Sequence, residues 1–211
     1  MKIIRKKIYG ITQRICHLGI GFFTIVLIMS AYSANYFYEY GLIRKSLWIS
    51  HVFAGFSLTF FLVLRIIWGF LGPHHARFSS MWKFQEWRKI LKGKTNSIKW
   101  NWGHHPVASL IYFIFYFNIL LLCISGIILA AIEHNLGPLA QNLYDQLNYS
   151  VELKDIHEAL SLSITLFVAA HLSALLFHEV KDKVPVVQSM FSGYQYKEES
   201  GEDKNENDNN T

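Results

Sequence analysis

Ten histidines occur in this chain of 211 residues, and four of them fall inside long apolar runs. An ionisable side chain held within lipid is costly and rare, so each of the four is a candidate for chemistry. His17 lies just inside the first apolar run, His51 near the start of the second, and His157 and His171 on the fourth. On a helix, the fourteen residues from His157 to His171 give about 40° of azimuth and about 21 Å of rise, so the two share one face. Depth then pairs His17 with His171 at one level and His51 with His157 at the other. Two stacked imidazole pairs are what two six-coordinate haems in a helical bundle require. Two axial imidazoles leave iron no open position for oxygen chemistry, so such centres carry single electrons. One metal site shared by all four is disfavoured, because its ligands would have to cluster within a few ångströms.

Smaller features agree with planar groups between helices. Gly21 follows His17 by four residues, Gly55 follows His51 by four, and Ser161 follows His157 by four, each leaving room on the ligand face. Small residues also line ordinary membrane helix contacts, so this support is secondary. Arg65 is a full charge within the second run, fourteen residues beyond His51. It is placed to reach a haem propionate, the alternative being a side chain that snorkels to the interface. His104 and His105 open the third run and are candidates for a propionate or quinone contact, while His178 is an alternative to His171 one level further along. His74 and His75 read as solvated, and His134 starts a loop. Cys16-His17 resembles the end of a C-x-x-C-H haem attachment motif, but position 13 is Gln13, so a haem here would be b-type and not covalently held.

The elements that must carry these residues follow from composition. The chain is 52% hydrophobic and only 17% charged, with a mean hydropathy of +0.21. A soluble domain carries about 25% charge, so the balance points to the membrane. Crossing the hydrocarbon core takes about 20 apolar residues in a helix. Four stretches qualify: about 15–34, 47–71, 106–132 and 156–177. None alternates with period two, and lipid offers the backbone no partners, so the expected fold is all-α, a transmembrane four-helix bundle. A cleaved signal peptide is the alternative for the first run, but its apolar stretch is longer than the usual 7–15 residues.

Charge then orients the bundle. Lys2, Arg5, Lys6, Lys7 and Arg14 precede the first span, Arg77 to Lys99 fill the connection between spans two and three, and Lys181, Lys183, Lys197 and Lys204 follow the fourth. The opposite side holds only Arg44, Lys45 and Lys154. Both termini are therefore expected in the cytoplasm. The net charge of +5 is thus sorted by membrane side and does not argue for nucleic acid. Residues 1–196 form one domain. Within it, 78–91 reads as an amphipathic helix on the cytoplasmic surface or as a polar loop. Residues 197–211 read as a disordered acidic tail.

These residues together resemble the bacterial cytochrome b561 and nickel-iron hydrogenase cytochrome b family, across residues 9–194. The resemblance rests on Thr12-Gln-Arg14-Ile-Cys-His17, on His51 followed by Leu64-Arg65-Ile-Ile-Trp68-Gly69, on Gly103-His104-His105-Pro106, on His157-Glu158 with His171 and His178, and on the closing Val187-Gln-Ser-Met190-Phe-Ser-Gly193. It departs at Tyr9-Gly10, where an aromatic-acidic start is usual, and at His105, where Asn is usual. The family implies a multi-pass subunit of the bacterial inner membrane with two b haems, whose ligands map by position to His17, His51, His157 and His171. It implies electron transfer between a periplasmic redox partner, a c-type cytochrome or a hydrogenase, and the quinone pool of a respiratory chain. The lipid bilayer is its solvent, and a homodimer is compatible with the scaffold.

An electron-transfer subunit is therefore expected rather than a stand-alone enzyme. The alternative is a superoxide–quinone oxidoreductase acting without a protein partner, as some proteins on this scaffold look to be. Glu39, Glu133, Asp145, Glu152 and Asp155 outnumber Arg44, Lys45 and Lys154 on the outer side. That argues against steering an anion and for docking a basic partner. A haem-free transporter would leave the histidine register unexplained.

Overall fold

Long apolar runs in a chain with few glycines and prolines form helices, because a helix satisfies its own backbone wherever water is absent. The computed structural model describes residues 3–93, 106–143, 150–182, 185 and 187–198. Its four long helices are α1 (Ile11–Tyr36), α2 (Gly41–Leu71), α5 (Pro106–His134) and α7 (Ser150–Asp182), each long and apolar enough to cross a membrane. Shorter helices lie between and after them: α3 (Phe78–Met81), α4 (Phe84–Leu91), α6 (Ala140–Leu143) and α8 (Ser189–Ser192). The long helices extend past the apolar runs, most of all at the start of α2 and at both ends of α7. Hydropathy marks the hydrocarbon thickness, and the hydrogen-bonded helix continues beyond it.

Chain punctuation sets the turns. α1 ends at Phe37, and the turn to Gly41 is short enough to force α2 antiparallel. α2 stops at Gly72, whose N–H bonds Trp68 O at 2.8 Å, and Pro73 has no N–H with which to continue. α1 packs on α2, α5 packs on α7, and α2 joins the two hairpins by meeting α5. Their shared core is small: Ile20, Leu58, Leu62, Ile119, Cys123 and Ile164. Outside it the helices are clothed in exposed Phe22, Phe60, Phe117 and Leu166, the outward apolar surface that lipid covers.

The pairing of the two terminal segments was not anticipated. Strand β1 (Ile3–Lys7) pairs antiparallel with β2 (Tyr194–Glu198), in the register Ile3 opposite Glu198 through Lys7 opposite Tyr194. Both terminal segments therefore lie at the same end of the bundle. Lys197 and Glu198 belong to this strand, which corrects the expected tail boundary; 199–211 lies outside the described residues. The clasp is held by Gly193, whose carbonyl accepts from the N–H groups of both Ile8 and Tyr9 at 3.0 Å, and by an Arg14 side-chain bond to Phe191 O. The 78–91 segment is helical but broken, and its second half docks on α5. Trp87 is buried there, its indole N–H bonding Ser109 Oγ at 3.1 Å, with Trp82 and Phe113 packed around it.

Candidate functional site

The four intramembrane histidines sit on three helices at two levels, separated by the apolar core. Ile164 lies seven residues from both His157 and His171, and Leu58 lies seven from both His51 and Arg65. Seven residues is close to two helical turns, so each core residue falls on the same face as the polar groups above and below it. Leu58 and Ile164 are 2% exposed. They form a dry layer between the levels.

At the level nearer the terminal clasp, His17 and His171 face each other across the bundle, with ring centroids 6.4 Å apart and planes at 65°. It is His171, not His178, that meets His17. Phe167 stacks on the His171 ring at 5.8 Å and 8°, and Phe115 stacks on Phe167 at 4.4 Å, so α5 and α7 fix that ring's orientation. Among the described residues, α1 and α7 are not principal packing partners, so the His17–His171 gap is not closed by backbone contact. A Cβ added to Gly21 would meet nothing within 4 Å, and one on Gly55 only Leu27 at 4.0 Å. Open space lies on the faces of the bundle beside His17 and His51.

Arg65 is close to the same end and does not snorkel; it is 3% exposed. Its guanidinium lies over the Phe78 ring at 4.9 Å and over the Tyr116 ring at 5.5 Å. Gly69, one turn on, lets Phe78 lie against α2, because any Cβ there would run into the Phe78 ring. Nη1 of Arg65 is buried without a hydrogen-bond partner among the described residues. A buried donor on a full charge is expensive to leave unmet, so this atom marks a place for an anion.

At the other level each histidine is held by a serine that the sequence did not single out. His51 Nδ1 lies 3.0 Å from Ser30 Oγ, and His157 Nδ1 lies 2.8 Å from Ser125 Oγ. Trp48 packs edge-on against His51 at 5.4 Å. The serines were visible as polar residues within apolar spans, but only tertiary packing could say what they touch. His74 and His75 are exposed in a single 3-10 turn, and His134 is the exposed last residue of α5. His104 and His105 lie outside the described residues.

The sequence profile of the prokaryotic cytochrome b561 family matches residues 8–193. The chain belongs to that family. It is similar to a probable Ni/Fe-hydrogenase B-type cytochrome subunit of Bradyrhizobium diazoefficiens, 24% identical over 88% of this chain and 84% of that protein. It is also similar to a probable Ni/Fe-hydrogenase 1 B-type cytochrome subunit of Escherichia coli strain K12, 26% identical over 76% of this chain and 73% of that protein. No solved structure matches the chain. As a cytochrome b561 with four apolar helices, the protein is a multi-pass membrane cytochrome that works in electron transport with haem b.

Proposed function

We propose that this cytochrome b561 holds two haems b, one between His17 and His171 and one between His51 and His157, and passes electrons between a periplasmic redox partner and the quinone pool. The observation that carries the reading is the 6.4 Å spacing of the His17 and His171 rings. Two imidazoles bound on opposite sides of one metal ion, with metal–nitrogen distances of about 2 Å, have ring centroids about 6 Å apart. The residues present fit the group in three further ways: the open faces at Gly21 and Gly55 and, among the described residues, an Arg65 donor with no partner and no principal packing of α1 on α7.

Bound haem b supplies reversible one-electron chemistry. The chain supplies the rest. His17 with His171, and His51 with His157, would each hold one haem between two imidazoles, which would suit it to carrying electrons rather than to binding oxygen. Leu58 and Ile164 keep water out of the layer between the two levels. Arg65 is the candidate to neutralise a propionate at the level of His17. By the charge sorting of the loops, this level and both termini face the cytoplasm of a bacterial inner membrane, and His51 and His157 face the periplasm. The relatives are named as probable cytochrome subunits of Ni/Fe-hydrogenases. That supports a hydrogenase or a c-type cytochrome as the periplasmic partner, with acidic outer loops suited to a basic docking surface. His104 and His105 are the candidate contacts for quinone.

The test is reduction by a water-soluble quinol analogue of the purified, fully oxidised protein. The proposal expects the b-type absorption to become reduced, and superoxide generated enzymatically to be no better a reductant than its spontaneous dismutation allows. Reduction by superoxide alone, with no response to quinol, would replace the proposal with the superoxide–quinone reading.

A further inference from the structure

The serine contacts of His51 and His157 share a second feature. Ser30 Oγ lies 3.0 Å from Leu27 O, and Ser125 Oγ lies 3.0 Å from Leu122 O, each three residues back on its own helix. A serine has one proton to give. Each hydroxyl thus lies within bonding distance of both a helical carbonyl and a histidine Nδ1, and one arrangement lets it bond both at once. The hydroxyl donates to the backbone carbonyl, and its oxygen accepts from the histidine Nδ1–H. In that arrangement Nδ1 carries the hydrogen, and Nε2 keeps a free lone pair. Ser30 is 7% exposed and Ser125 4%, so water does not offer a competing partner.

The two sites are built alike. Ser30 on α1 holds His51 on α2, and Ser125 on α5 holds His157 on α7, so each serine comes from the helix on which its histidine's helix packs. Gly126 completes the second site, because a Cβ there would press on His157 Cε1 at 3.2 Å. At the other level, among the described residues, neither His17 nor His171 has a hydrogen bond to a ring nitrogen; an aromatic stack orients His171 instead.

We infer that Ser30 and Ser125 are positioning residues for a haem between His51 and His157, which they hold in the Nε2-ligating tautomer and whose reduction potential they lower. This rests on the proposed pairing of those two histidines. A hydrogen bond from Nδ1–H makes the imidazole a stronger donor through Nε2, and a stronger donor favours ferric over ferrous iron. The effect belongs to one haem only, which makes the other an internal control.

The experiment is a mediated redox titration of the purified full-length protein, followed by visible absorption and by low-temperature electron paramagnetic resonance of the ferric state. His51→Ala identifies which component belongs to the His51/His157 level, by its loss. Ser30→Ala and Ser125→Ala are each expected to weaken that component's ferric preference by about tenfold, an upward shift of about 59 mV for one electron, with the other component unmoved. Its ferric g-values should move with it, and loss of that component alone would be the same result in stronger form. Ser30→Thr and Ser125→Thr keep the hydroxyl and should restore wild-type values. Both haems bound with unchanged potentials and g-values in both alanine variants would overturn the inference, leaving the serines as cross-helix packing. A His51→Ala protein that still holds two haems would instead overturn the ligand pairing on which the inference rests.

Discussion

The His17 imidazole on α1 and the His171 imidazole on α7 face each other at 6.4 Å, although they stand near opposite ends of the chain. Nothing local brings them together. Among the described residues the principal helix contacts run from α1 to α2, α2 to α5 and α5 to α7, so the pairing is a product of the whole bundle. If these rings hold one haem, His17→Ala or His171→Ala should each lower bound haem from two to about one per chain, and the two variants should lose the same spectral component. His178→Ala should leave both haems in place. Pyridine haemochrome assay of the purified variants checks this, and a His178→Ala protein with one haem would move the ligand one level along α7.

Arg65 offers a second handle on the same level. Its buried Nη1 has no partner among the described residues, while the ring faces of Phe78 and Tyr116 enclose the rest of the guanidinium. Replacing it with Gln keeps much of the volume and removes the charge. The His17/His171 haem should then become harder to reduce, by about 1.5–3 kcal/mol, the worth of a hydrogen bond to a charged group. The other component should stay where it was. Equal shifts of both components would argue against a direct contact.

The terminal clasp should matter for stability and not for the spectrum. Gly193 adopts φ +84°, and a Cβ there would lie 2.7 Å from Tyr9 O. Gly193→Ala should destabilise docking of β1 against β2 by about 1–2 kcal/mol from the left-handed backbone alone, with both haems retained. Increased proteolysis after Lys7 would report it.

The same clasp should loosen in alkali. Burial, with Tyr112 adding to it, raises the Tyr9 phenol from 10.0 to about 12. Below pH 10 the neutral phenol is shared by the docked and undocked states, and the clasp has its full stability. Between pH 10 and 12 the undocked segment loses its proton while the docked one keeps it, so docking weakens as pH rises, by on the order of 2–3 kcal/mol in all. Tyr9→Phe should abolish that dependence, as followed by proteolysis across the range.

Quinone access is tested at the opening of α5. His104→Ala with His105→Ala should slow reduction by quinol severalfold while leaving haem content at the wild-type level. Unchanged rates would remove these residues from the quinone site.

Much of the site was legible in the sequence because it is periodic. The fourteen-residue interval between His157 and His171 encodes a shared face, and apolar length encodes the number of spans. Ser30 and Ser125 were not legible, because a serine in an apolar helix has many uses and its partner lies on another helix. The burial of Arg65 depends on Gly69 making room for Phe78, a contact between α2 and α3 that no spacing rule records. The β1–β2 pairing joins the segments Ile3–Lys7 and Tyr194–Glu198, far apart in the sequence. Its strands are five residues each, too short for the Tyr194–Tyr196 alternation to announce them.

The most direct test of the account is a reduced-minus-oxidised visible spectrum of the detergent-purified protein with haem quantified per chain. The account predicts two low-spin b-type haems per chain, resolved as two components in a redox titration. One haem per chain would contradict the two-level pairing, and none, after expression with ample haem, would contradict the reading of these histidines as ligands altogether.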